Sequence, residues 1–272
     1  MIDVGLAVVG WIDLLATATV AGGLLFGALV GAPSAAGERV IRRALAVLAG
    51  VLALAFVLTA LRMRTVSGIG GGALVVDLLE TRWGGLWTLR VLGVAVLAGT
   101  PPPLYPAIVG PWLALRSFQG HAGAHGVVAA MIDWLHLLAA AAWIGGLVQL
   151  ALLARPISMD VGRRMRTLAT VALGALIPSG VYAAFLHIPS LDMVTESPYG
   201  RALVLKLVLA AVLIALGAVN HFRHVPGMLR GDATAAARLG ALVRVEVLLA
   251  AAVLLVTAVL GVLPMPHVHH HA

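Results

Sequence analysis

Asp133-Trp134-Leu135-His136-Leu137-Leu138-Ala139-Ala140-Ala141-Ala142-Trp143-Ile144-Gly145-Gly146-Leu147 is the stretch whose reading decides the fold. It sits inside an apolar run near 127–153, far too long for a strand. A bilayer core of about 30 Å takes roughly 20 apolar residues as helix, so the run reads as a transmembrane helix that carries an imidazole. Earlier in the chain, Trp11-Ile12-Asp13-Leu14-Leu15-Ala16 aligns with Trp134-Leu135-His136-Leu137-Leu138-Ala139, and Gly22-Gly23 then falls on Gly145-Gly146 without a gap. Further on, Trp83-Gly84 matches Tyr199-Gly200, and the same register sets Arg90 on Lys206 and Leu92 on Val208. Hydrophobic composition alone would give matching Leu and matching Ala. It would not match aromatic, Gly–Gly and basic positions.

Working outward, similar apolar runs occur near 5–31, 40–61, 83–99, 165–186, 199–222 and 239–263. A shorter one at 103–118 is broken by Pro106, Gly110 and Pro111, and is counted because the charge pattern and the repeat both need it. The expected fold is all-α: a polytopic membrane protein of eight transmembrane helices, built as two parallel four-helix repeats. The halves are 1–118 and 119–272, the second ending in a His-rich tail. Each half has an even number of helices, so both enter from the same side, and the pseudo-twofold axis runs along the membrane normal.

Composition agrees. Of 272 residues, 61% are hydrophobic and 11% charged, with a mean hydropathy of +1.05. Soluble domains carry about 25% charged residues. This excludes a soluble globular enzyme, a disordered chain and a nucleic-acid binder, so the net charge of +7 is assigned to membrane orientation. The absence of Cys excludes disulfides and thiolate metal sites. No cleavable signal peptide is expected, because Met1-Ile2-Asp3 lacks a basic region and the first cation is Arg39.

Arginines set the orientation. Arg39, Arg42 and Arg43, then Arg155, Arg163, Arg164 and Arg166, then Arg223, Arg230 and Arg238 fall in alternate loops, which the positive-inside rule places in the cytoplasm. Both termini then face outward, into the periplasm or medium. Arg62, Arg64, Arg82 and Arg116 are exceptions on the outer side.

In that orientation most of the ten histidines lie outward. His121 and His125 are spaced i, i+4 and share a face if that segment is helical. His187 sits at an outward helix end, and His267, His269, His270 and His271 follow Met265 on the tail. Thioether and imidazole together suit copper as Cu(I) or Cu(II). A purification-tag remnant is the bland alternative, against which the Val268 interruption and the terminal Ala272 argue. His136 lies within a span, where a titratable group is costly and marks function. Asp13 occupies its repeat-equivalent position, so the two are expected to face each other across the axis. Arg90 and Lys206 lie about two turns in from outward helix ends, where they either snorkel or line a path. Glu246, near Arg244, is expected to pair with a cation or line a wet path. Asp13, Arg90, Lys206 and Glu246 form the candidate transport path, and the histidines with Met265 the candidate metal ligands.

The stretch 133–147 resembles the D-x-L-H-L-L-A-A-x-x-W-x-G-G-L segment of the copper resistance protein D (CopD) family. Gly120-His121-Ala122 resembles its S-G-H-A-A stretch. Tyr199-Gly200-Arg201-Ala202-Leu203-Val204-Leu205-Lys206, followed by Asn220, resembles its Y-G-R-x-L-x-x-K segment. The resemblance is strongest over 117–263. It implies a bacterial inner-membrane protein, not an enzyme, that imports copper from the periplasm, with a periplasmic carrier of CopC type as partner. The alternative is a haem b-binding membrane oxidoreductase, since the His136 segment with its downstream Lys also resembles the membrane protoporphyrinogen oxidase (HemJ) family. An intramembrane His is a normal haem ligand. No P-loop is present, so ATP does not drive transport.

Overall fold

A computed structural model describes residues 2–68, 70–101, 104–153, 157–187, 194–195 and 197–264. Among these the chain is helical, without strands: α1 (Ile2–Leu29), α2 (Ala35–Ser67), α3 (Gly72–Glu80), α4 (Arg82–Gly99), α5 (Tyr105–Gln119), α6 (His121–Ala124), α7 (Val127–Ala151), α8 (Met159–His187), α9 (Pro198–Val219), a π turn (Asn220–His224), α10 (Val225–Leu229) and α11 (Ala233–Leu260). Side-chain caps fix several starts by accepting from otherwise orphaned N–H groups. Ser34 accepts from Gly37, Thr81 from Gly84, Ser197 from Gly200, and Asp232 from Thr234 and Ala235. Gly68 closes α2 at φ 72°, a left-handed conformation that favours glycine.

Among the described residues, six helices are long and apolar enough to cross a membrane: α1, α2, α7, α8, the continuous Pro198–Leu229 segment and α11. The expected spans at 83–99 and 103–118 are the helices α4 and α5, of 18 and 15 residues, which fall outside those six. At 1.5 Å per residue they reach about 27 and 22 Å. α4 carries Arg82 and Arg90, and α5 starts after Leu104 with Pro106 in its first turn. Two short helices, α3 and α6, were not expected. Leu74 and Leu78 bury one face of α3.

α1 and α7 form the centre. α1 packs on α2, α5, α7 and α11, and α7 packs on α1, α5, α8 and α11. Their crossing is closest at Gly22 and Gly145. A Cβ on Gly22 would lie 1.9 Å from the Ala141 carbonyl oxygen, and one on Gly145 would lie 2.6 Å from that of Ala18. Gly145 thus meets Gly22 and Ala18 as Gly22 meets Gly145 and Ala141, a reciprocal pattern that runs the two helices parallel. Only glycine permits such an approach. Two indoles tie the crossing to flanking helices: Trp11 donates to the Ala251 carbonyl of α11 at 2.9 Å, and Trp134 donates to the Gly110 carbonyl of α5 at 2.8 Å.

Two apolar cores flank this centre. One joins α1 and α7 to α2, α4 and α5 around Leu48, Leu52 and Trp112; the other joins them to α8, α9 and α11 around Trp143, Met165 and Val243. The outer faces stay apolar: Val204, Leu205, Val208 and Val212 of α9 and Val47, Leu54 and Val57 of α2 are exposed. In water such a belt would drive aggregation. Against lipid it is the normal surface.

Candidate functional site

Three polar clusters interrupt the apolar interior. The first is built on His136 of α7. Its ring nitrogen Nδ1 lies 2.9 Å from the Ser179 hydroxyl of α8, and the Leu176 backbone also hydrogen-bonds the ring. Ser179 donates to the Ala175 carbonyl at 2.5 Å. If the single Ser179 proton goes to Ala175, Ser179 accepts from Nδ1–H and Nε2 carries the lone pair. A second group that fixes the tautomer is how metal-binding imidazoles are oriented. Pro178 lies inside α8 next to this serine, so the Gly174 carbonyl loses its helical partner there. Lys206 of α9 and Asp133 of α7 both act electrostatically on His136, and Lys206 forms no ion pair among the described residues.

The second cluster is Asp13. It was expected to face His136; instead it turns to α4 and α5. Its carboxylate takes Arg90 at 2.8 Å, Arg116, and the Thr17 hydroxyl at 3.2 Å. Arg90 is only 3% exposed and also donates to Gln119 at 3.2 Å. It therefore neither snorkels nor faces an open path. Buried charge persists only when paired, and this carboxylate satisfies two guanidiniums at once. Arg116 was visible in the sequence as an exception to the charge rule, and that exception is the signal that it has an internal partner.

The third cluster is Glu246 of α11, 1% exposed, which accepts from the Asn220 side-chain amide at 2.7 Å. Its partner is an amide rather than the expected cation. Asn220 opens the π turn, just ahead of Pro226, whose missing N–H removes one helical bond to Phe222. Such π turns are frequent at functional sites. The pair lines a cavity of about 200 Å³ walled chiefly by Trp143, Leu147, Met165, Leu173 and Val243. The cavity is mostly apolar, where a wet path was one expectation. The Asn220 Oδ1 atom is buried there without a hydrogen-bond partner.

Among the described residues no three of His, Cys, Asp or Glu are grouped to hold a metal. His121 opens α6, the exposed His125 caps that single turn, and His187 ends α8. Met265, His267, His269, His270 and His271 lie outside the described residues. Sequence reasoning missed Ser179, Arg116 and Gln119 as partners, because each is reached only through the fold.

Comparison with known proteins follows this geometry. Residues 159–260 match the family model for copper resistance protein D. The chain is 29% identical over 223 residues, 68% of its length and 40% of the relative, to "Copper transport protein CutJ" of Bacillus subtilis (strain 168). It is 30% identical over 121 residues, 39% of each chain, to "Copper resistance protein D" of Pseudomonas syringae pv. tomato. The chain thus spans about two fifths of the length of the curated relatives it matches. No solved structure matches. The haem alternative draws no support from these matches. Residues 159–260, which hold Ser179, Lys206, Asn220 and Glu246, are thus the part of this membrane-spanning chain that is similar to the copper resistance protein D family.

Proposed function

We propose that the chain carries copper inward across the bacterial inner membrane, through the C-terminal half of the bundle. The observation that carries this reading is His136, an imidazole inside a membrane span whose ring is held through Nδ1 by the Ser179 hydroxyl. Copper is the cargo. It arrives at the outer histidines, His121, His125 and His187, and at the tail from Met265 to His271, from a periplasmic carrier of CopC type. His136 takes it into the bundle, and Lys206, which forms no ion pair among the described residues, tunes the charge beside it together with Asp133. Glu246 and Asn220 receive it deeper, where an oxygen pair faces the cavity.

The same reading treats 1–118 and 119–272 as two parallel four-helix repeats, with α4 and α5 completing eight crossings and both termini outside. The reciprocal Gly22 and Gly145 contacts and the matched Trp11 and Trp134 hydrogen bonds support it. On the Gly110/Ala251 register, Arg116 falls opposite Thr257. The first half then holds Asp13, Arg90 and Arg116 where the second holds His136, Lys206 and Thr257. Asp13 and Arg90, first read as path residues, become a fixed brace, and the copper path belongs to the half without those ion pairs.

Metal and haem analysis of the purified chain tests this reading. Bound copper without a Soret band is expected. A Soret band without copper would overturn it.

A further inference from the structure

The arginines of the last inter-helical turn do more than mark a membrane side. Arg223, Arg230 and Arg238 line one pocket of about 230 Å³, formed by the π turn, α10 and the start of α11. None of the three forms an ion pair among the described residues, and the only acid in the wall is Asp232. Three arginines against one aspartate give the wall an excess of two positive charges.

The pocket is built, not incidental. Its floor is a tight turn: Arg230 N–H bonds the Pro226 and Gly227 carbonyls at 3.2 and 3.0 Å, Asp232 N–H bonds Gly227 at 3.1 Å, and Gly231 sits at φ +87°. Gly227 is required there, since a Cβ would lie 2.7 Å from the Ala235 Cβ. Asp232 already caps the first N–H groups of α11, so guanidiniums and not the helix end must supply the binding. A second observation points to a ligand. His224 lines the same pocket, is 6% exposed, and makes no hydrogen bond among the described residues. The ring of this deeply set side chain is therefore left to be met by whatever fills the pocket it lines.

We infer that this pocket binds a phosphate group. Three unpaired guanidiniums around one cavity offer the fork donors that match a tetrahedral oxyanion, and His224 adds a further ring donor. The phosphate comes from an anionic phospholipid headgroup or from free phosphate. Basic pockets between membrane helices bind lipid headgroups in this way.

The full chain in detergent tests it, titrated with dioleoyl phosphatidylglycerol or with inorganic phosphate and followed by native mass spectrometry and calorimetry. One saturable site is expected for at least one probe. Phosphatidylglycerol binding that phosphate displaces identifies a lipid headgroup held through its phosphate; binding of phosphate alone identifies a soluble ligand. Arg230→Gln with Arg238→Gln should weaken the site at least tenfold. These side chains are exposed, so the fold should survive. Arg39→Gln with Arg42→Gln, in another basic loop, should change it less than twofold. His224→Gln should retain binding that His224→Leu weakens several-fold. Absence of a saturable site for both probes would overturn the inference, and so would equal weakening by the two arginine pairs.

Discussion

Asp13→Asn should cost the chain about 3–5 kcal/mol of stability, because it strands a buried arginine. The substitution keeps the side chain's size and removes its charge. Arg90, 3% exposed, then has only neutral acceptors, the amide oxygen of the new asparagine and Gln119, in place of its one carboxylate, and its Nε has no partner. Arg116 differs: its side chain is 25% exposed and turns to water on losing the carboxylate. The two arginines therefore predict different rescues. Asp13→Leu combined with Arg90→Met removes both buried charges and should restore stability to within about 1 kcal/mol of the parent, as apolar replacement of buried ion pairs does. Asp13→Asn combined with Arg116→Gln should recover little. Denaturation of the purified chain by increasing SDS, followed by tryptophan fluorescence, reads these differences. A shift below about 0.5 kcal/mol for Asp13→Asn, inside the usual range for a surface substitution, would refute the brace. Better rescue by Arg116→Gln than by Arg90→Met would refute the assignment of Arg90 as the stranded charge.

Gly145→Val should block the α1–α7 crossing, since its Cβ would fall 2.4 Å from the Gly22 Cα; loss of the monodisperse peak on size exclusion is expected, and a normal peak would contradict the packing. Gln149→Met should leave stability unchanged or raise it by about 1–3 kcal/mol, because both amide atoms of this 1% exposed side chain lack partners; clear destabilisation in the same SDS titration would refute that account. Reporter fusions at residue 35 and at the C-terminus should report opposite sides of the membrane, and the same side for both would overturn the orientation.

The long helices were legible because lipid demands one thing of a span, a run of apolar residues, and hydropathy records it directly. The proposed repeat rests on residues that do something in common: Trp11 and Trp134 each hydrogen-bond a carbonyl on a distant helix, and Gly22 and Gly145 share one crossing. Repeat equivalence did not carry over to partners. Asp13 and His136 hold matched places, yet one finds guanidiniums on α4 and α5 and the other a hydroxyl on α8. Arg90 and Arg116 lie 77 and 103 residues from Asp13, so no local pattern announces the pairing. The π turn at Asn220 was also hidden, because its geometry arises where α9 meets Pro226 and the Glu246 carboxylate draws the amide inward.

The central claim is that copper passes His136. Copper accumulation by cells expressing His136→Ala at matched protein level tests it most directly, because Ala keeps the helix and removes only the imidazole. Accumulation should fall to the level of cells lacking the protein, whereas deletion of His267–His271 should reduce uptake only at low external copper. Normal accumulation by His136→Ala together with abolished uptake on tail deletion would contradict the path through the bundle.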